Sequence, residues 1–305
     1  MASSIEGRVA LITGASRGIG QAVACRFAAE GADVALIGRG PDRRSTHLAG
    51  SLDETEQLAK SMNGGRVHVA MADIGDPTAD KSEIIADVDR AFGRTPDILV
   101  HVAAAPREFD DGRPLVMFAD TPREWFQRSV EVNVWAMWDL AKCVIPGMRG
   151  RGEGWILSIS SRQAAPRPSP VEGSAPSRLG GACIYGGTKA FLDRITTGAA
   201  EELYPDNIAV NALAPTGPVR TPLSASVTPG LRAEDWEPME TMVEAALALC
   251  SGEPRELTSR VAYSLPLLVE LGRPVRTLDG RELLDTWQPD PDDPRLQGAS
   301  YLIGH

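Results

Sequence analysis

The chain has 305 residues, and 31 Lys+Arg against 41 Asp+Glu leave a formal net charge of −10 and a pI near 5.0. That acidity argues against binding a nucleic-acid backbone, which needs a basic face to displace counterions, and 43% hydrophobic with 24% charged residues excludes disorder over most of the length. No apolar run approaches the ~20 residues of a spanning helix, and the start Met1-Ala2-Ser3-Ser4-Ile5-Glu6 has no basic, apolar leader, so a cytoplasmic protein with no membrane span is expected.

Short apolar runs predict strands at Val9–Thr13, Asp33–Ile37, Arg66–Ala70, Ile98–Ala103, Trp155–Ser160 and Ile208–Leu213. Several are apolar almost throughout, the pattern of strands covered on both faces. Helix-like stretches lie between them at Gly18–Glu30, Leu52–Met62 and Ser82–Phe92. A further helix is predicted from Thr121-Pro122-Arg123-Glu124, with Thr121 as cap and Pro122 in the first helical position. Strand–helix alternation predicts an α/β fold: a doubly wound parallel sheet in three layers, αβα. Arg162–Gly181 holds Pro166, Pro168, Pro170 and Pro176 and reads as a loop. Leu257–Leu271 reads as a last strand and a turn, and the Pro/Asp-rich stretch beyond it as an extended tail. The expected organisation is one domain over residues 1–271, interrupted by a Pro-rich insertion at 162–182, and a C-terminal extension over 272–305.

The first strand runs into Gly14-Ala15-Ser16-Arg17-Gly18-Ile19-Gly20 and then a helix. Glycines let the backbone approach a pyrophosphate, and free helix N–H groups hold its charge. Further on, Tyr185-Gly186-Gly187-Thr188-Lys189 puts a phenol and an ammonium on one helix face at i and i+4. A phenol near pKa 10 is a poor base at neutral pH, and a neighbouring cation brings it into working range. The strand before it ends Ser158-Ile159-Ser160-Ser161.

Thr-Gly-x-x-x-Gly-x-Gly, the serine-rich strand end and Tyr-x-x-x-Lys, in this order, resemble the short-chain dehydrogenase/reductase family from about Glu6 to about Ser264. The resemblance implies a Rossmann-type oxidoreductase in which Tyr185 exchanges a proton with the substrate oxygen. Ser161 would position that oxygen, with Ser160 its nearest rival for the role. Lys189 would lower the Tyr185 pKa and bind the nicotinamide ribose, and Asn133 would hold a relay water. Cofactor contacts are implied for Gly14, Ser16, Arg17, Gly18, Ile19 and Gly20, for Asp73 and Ile74 after the third strand, and for Ala103 and Ala104 after the fourth. Pro215, Val219 and Thr221 are implied to cover the nicotinamide. Asp73 also reads as a turn or capping residue.

The second strand ends Ile37-Gly38-Arg39 without a carboxylate for a ribose 2′-OH, and Arg17, Arg43 and Arg44 lie near in sequence. Arginine suits a 2′-phosphate, so NADP is favoured over NAD; solvated surface arginines are the competing reading. No metal is called for: His47, His68, His101 and His305 have no ligand spacing, and Cys25, Cys143, Cys183 and Cys250 have no paired spacing.

Three features depart from the family pattern. His101-Val102-Ala103-Ala104 stands where Asn-Asn-Ala-Gly is usual, Thr216 where Gly is common, and 23 residues separate Ser161 from Tyr185. His101 is expected to supply one polar contact in place of the asparagines, and the insertion to shape the substrate pocket. Gly38–Thr55 and the C-terminal part are similar to a subgroup with hydroxysteroid-dehydrogenase-like proteins and citronellol-type alcohol dehydrogenases. This implies an apolar secondary alcohol or ketone as substrate, with Met239–Leu249 either the substrate helix or an ordinary core helix. The expected partners are that small molecule and further copies of the chain, paired through the helices near Thr121 and Tyr185 as dimer or tetramer. An NAD-dependent oxidising enzyme and a non-catalytic NADP(H) sensor are the alternatives.

Overall fold

Strands Val9–Thr13 (β1), Asp33–Gly38 (β2), Val67–Met71 (β3), Ile98–His101 (β4), Gly154–Ile159 (β5), Ile208–Ala214 (β6) and Val261–Tyr263 (β7) form one sheet in a computed structural model. The structure describes residues 4–40, 48–62, 64–105, 116–166, 182–227 and 230–298. Arg43 and Arg44, residues 167–181 of the Pro-rich insertion and the last seven residues of the tail fall outside the described residues. The strand order is β3-β2-β1-β4-β5-β6-β7, and every neighbouring pair is parallel. β1, β4, β5 and β6 are buried along their whole length, which is why their sequences are apolar runs rather than alternations.

The helices are Gly18–Ala29 (α1), Leu52–Ser61 (α2), Lys81–Phe92 (α3), Arg123–Val130 (α4), Ala136–Arg151 (α5), Ala182–Leu203 (α6), Pro222–Val227 (α7), Met239–Ser251 (α8) and Ser264–Glu270 (α9). Successive strand residues face opposite layers. Ala10 and Ile12 pack with Val23 and Phe27 of α1, Met242 and Leu249 of α8 and Leu268 of α9. Val9 and Leu11 pack with Val88 of α3, Leu140 and Val144 of α5 and Leu203 of α6. The sheet is therefore doubly wound between two helical layers, a Rossmann-like fold, as the alternation predicts. The strand order reverses between β1 and β4, so a crevice opens at their carboxyl ends.

Local sequence accounts for several boundaries and corrects others. Ser51 and Glu54 form a capping box that starts α2, each side chain bonding the other's backbone N–H at 3.1 Å. Thr121 does not cap α4: Pro122 is the cap residue, and the Thr121 hydroxyl turns back to the Met117 carbonyl at 3.1 Å. The predicted turn after the last strand is instead α9. The segment after Leu271 folds back on the domain. Val275 is fully buried, and the Gln288 side chain bonds the Val275 N–H at 3.1 Å and its carbonyl at 2.8 Å. Arg26 of α1, 2% exposed, donates to Glu30 at 2.8 Å and to the Thr277 carbonyl at 3.3 Å, and pairs with buried Glu244 of α8 at 2.7 Å.

Asp97 opens β4 from a fully buried position. It accepts the Val9 backbone N–H at 2.8 Å and pairs with Arg94 at 2.5 Å and Arg151 at 2.7 Å. Removing Asp97 leaves the Val9 N–H without its acceptor, while the two partly exposed arginines keep access to water. Asp97→Ala is expected to lower stability by about 1–3 kcal/mol, the cost of leaving a buried donor unsatisfied, read as a fall in urea midpoint at constant slope.

Candidate active site

The crevice between the ends of β1 and β4 is a cleft of about 320 Å3. Its walls include Gly14, Ser16, Arg17, Gly18, Ile19, Arg39, Asp73, Ile74, Ala103, Ala104 and Thr221. Gly14 has φ +66°, and a methyl group there would lie 2.8 Å from the Ala103 backbone. Gly18, at φ +57°, would press a methyl group onto Thr221 at 3.2 Å. Only glycine lets the turn take these conformations and pack this closely. Gly20 sits two residues further into α1, against the Gly14 carbonyl. The cap of α1 carries no side-chain hydrogen bond, so the first N–H groups of the helix face the cleft with the positive end of its dipole.

Arg39 follows the last residue of β2, and Arg17 donates to the Gly50 carbonyl at 3.3 Å, the two backbones packed against each other. Gly50, Ser51, Leu52 and Asp53 join the lining. Sequence reading missed this second wall, although the capping box that starts α2 marks where it ends. Asp73 lines the cleft while bonded to Arg128 of α4 at 2.8 and 2.9 Å. Burial pushes its carboxyl up, but the hydrogen bonds and charge of Arg128 outweigh that and hold it below the ordinary range.

Tyr185 and Lys189 lie one turn apart on α6. The Lys189 ammonium stands 5.7 Å from the Tyr185 ring centroid, is 1% exposed and donates to the Ile159 carbonyl at 2.6 Å. Burial pulls its pKa down to about 8 from an ordinary 10.5, against the charge of Asp193, which raises it. Asp193, one turn further on α6, was not anticipated. Burial pushes it up to about 6, opposed by Ser160 and Lys189. The Ser160 hydroxyl acts on that carboxylate without completing a well-formed hydrogen bond. Ser161 is the more accessible of the two serines, and its hydroxyl accepts the Gln163 N–H at 3.2 Å.

Asn133 sits in a π-turn, Glu131–Trp135, between α4 and α5. It is fully buried and spends both ends of its amide: Oδ1 accepts the Ala105 N–H at 2.7 Å, and Nδ2 donates to Thr188 at 2.9 Å. Thr188 in turn donates to the Tyr185 carbonyl at 2.7 Å. Asn133 is thus bonded to the helix that carries Tyr185 and Lys189. His101 fills the asparagine position at the end of β4, fully buried and 3.1 Å from Thr13.

The segment after β6 carries Pro215, Val219 and Thr221. Of these, only Thr221 joins the walls of the cleft. The unusual Thr216 is tied down by its hydroxyl, which meets Ser264 at 3.0 Å and accepts the Leu265 N–H at 3.0 Å. Arg162 donates to the Thr216 carbonyl at 2.6 Å, linking the end of β5 to this loop. Buried Glu237 accepts the Gly217 N–H at 2.6 Å and bonds Ser264. Burial pushes the Glu237 carboxyl up, against the donors around it. Among the described residues no group of histidine, cysteine or carboxylate side chains is placed to hold a metal, and no helix is long and apolar enough to cross a membrane.

Comparison with known proteins agrees with this geometry. Residues 8–232 match the model of the short chain dehydrogenase family. Oxidoreductase UcpA of Escherichia coli K12 is 31% identical over 265 residues, covering 85% of this chain and 88% of that protein. The 7alpha-hydroxysteroid dehydrogenase of the same strain is 29% identical over 259 residues, covering 81% and 88%. In structure, the L-sorbose reductase of Gluconobacter frateurii, solved with NADPH and L-sorbose, superposes with a TM-score of 0.68 at 28% identity, covering 86% of this chain and 97% of that one. With the glycine turn, the Tyr185–Lys189 helix and the doubly wound sheet all in place, this chain belongs to the short chain dehydrogenase family.

Proposed function

We propose that this oxidoreductase interconverts an apolar secondary alcohol and its ketone with NADP(H), using Asn133, Ser161, Tyr185 and Lys189. The observation that carries the reading is the buried Lys189 ammonium, 5.7 Å from the Tyr185 ring, on a helix to which Asn133 is bonded through Thr188. A nicotinamide cofactor fits the residues present: a glycine cradle that any Cβ would fill and an uncapped helix N-terminus. When bound, that cofactor supplies or takes up the hydride. Ser161 orients the substrate oxygen, and Tyr185 exchanges a proton with it. Lys189, charged at neutral pH, favours the phenolate of Tyr185. Asn133 holds the π-turn and α6 in one register for the proton path.

Arg17 and Arg39, both lining the cleft, support a 2′-phosphate and hence NADP. The similarity to a hydroxysteroid dehydrogenase favours an apolar substrate. Trp135, Trp138 and Phe126 on the α4–α5 arm and Phe191 on α6 are about half exposed, which supports pairing of these helices in a homodimer or tetramer. The Pro-rich insertion leaves the site directly after Ser161, and we assign it to the substrate pocket.

Tyr185→Phe is expected to cut turnover by at least ~10²-fold, the usual worth of a general acid–base group, while NADPH binding, read by nicotinamide fluorescence, is retained. Substrate-dependent NADPH oxidation at the wild-type rate would refute the assignment. Arg39→Asp should move preference from NADPH toward NADH, measured as the ratio of the two dissociation constants; an unchanged ratio removes Arg39 from the phosphate site. Lys189 also makes a stability prediction. Its folded pKa of about 8 lies below its ordinary 10.5, so the unfolded chain holds more protons between those values and stability rises with pH there. Below about 8 the burial penalty is fully present. Lys189→Met should therefore lack that rise, as the difference between the two proteins' denaturation midpoints will show; parallel trends would contradict it.

A further inference from the structure

His101 carries an unspent donor. Its ring is fully buried, and its Nδ1 lies 3.1 Å from Thr13 Oγ1. Thr13 Oγ1 already accepts two backbone N–H groups, from Val102 at 3.1 Å and Ala103 at 3.2 Å. A hydroxyl has two acceptor sites and one hydrogen. With both acceptor sites taken, the hydrogen goes to His101 Nδ1, so the ring proton of the neutral imidazole is on Nε2. Burial and the nearby charge of Lys189 keep the ring neutral, pushing it down to about 3. Nε2 itself has no hydrogen-bond partner in this fully enclosed position, and a buried N–H without an acceptor costs free energy.

The acceptor is supplied by the π-turn. Ala136 N–H reaches five residues back to the Glu131 carbonyl. In an α-helix it would reach four residues back, to Val132. The Val132 carbonyl is thereby released from its regular helix donor. Val132 and Asn133 are the two residues whose backbone carbonyls act on the His101 ring, and neither meets good hydrogen-bond geometry. The unpartnered Nε2 and the carbonyls that bear on the ring therefore belong to β4 and the π-turn, and the Asn133 side chain is bonded to Thr188 of the active-site helix.

We propose that His101 is a positioning residue, locked by Thr13 as the Nε2–H tautomer, which donates to the carbonyls of the π-turn, Val132 foremost, and holds Asn133 in register with Lys189. This rests on the reading of Asn133, Tyr185 and Lys189 given under Proposed function. It makes the substitution at the end of β4 a working replacement: one imidazole joins β1, β4 and the π-turn.

Two measurements test it. With 15N-labelled histidine, the resonance lost in His101→Gln should show an Nε2–H ring that does not average between tautomers. An Nδ1–H ring or rapid averaging overturns the assignment, and does so independently of whether Tyr185→Phe abolishes turnover. In the kinetics, His101→Gln keeps an amide within reach of the π-turn, whereas His101→Asn reaches only Thr13. On any ketone the wild type reduces, His101→Asn should lose kcat by about tenfold, the worth of one positioning hydrogen bond, with the NADPH dissociation constant unchanged and His101→Gln recovering most of the loss. Equal kcat in the two variants, or a loss that follows NADPH affinity, means a merely structural histidine and overturns the proposal. His101→Phe, where it folds, should behave as His101→Asn does.

Discussion

Where β1 and β4 end, the Thr13 hydroxyl takes the backbone N–H groups of Val102 and Ala103 and faces His101 on its other side. Parallel strands that part company at a reversal of strand order lose their ladder partners, and each freed backbone group must find another. Thr13 meets that demand with a single side chain. Because it does, Gly14 can leave β1 in a positive-φ turn directly against Ala103, and the mouth of the crevice is fixed. The glycine turn, the floor of the cleft and the π-turn behind it are all positioned from this point.

The chemistry end follows from a second constraint, the cost of burying charge. Lys189 lies inside the domain with one short bond to the Ile159 carbonyl and a buried carboxylate, Asp193, one turn away. Desolvation brings both toward neutral pH from opposite sides, Lys189 to about 8 and Asp193 to about 6. A fold gains no stability from such a pair. It gains a helix face on which a buried ammonium is held 5.7 Å from a phenol ring.

Much of this was legible in the residues. Uninterrupted apolar runs read as doubly covered strands, and Gly14, Gly18, Tyr185 and Lys189 stood at spacings whose physical meaning survives without coordinates. What escaped were partners supplied across the sheet. Thr13 looks like a strand's last residue until β4 is beside it, and Asp193 like a surface carboxylate until α6 is turned inward. Arg128 could not be linked to Asp73, 55 positions earlier, because nothing local couples them. Thr121 failed as a cap because its hydroxyl found the Met117 carbonyl instead, a choice propensity alone does not decide. The turn expected after β7 became α9 because Leu265, Leu267 and Leu268 are drawn into the core.

The tie between Arg26 and the Thr277 carbonyl joins positions 251 residues apart. It bears on the order in which the chain can be completed during synthesis. α1 is among the first elements made, yet its buried guanidinium is not fully partnered until Glu244 and then Thr277 have left the ribosome. Until then its local partner is Glu30, four residues on. The packing of α1 against α8 and the C-terminal segment is therefore completed only when the end of the chain is available.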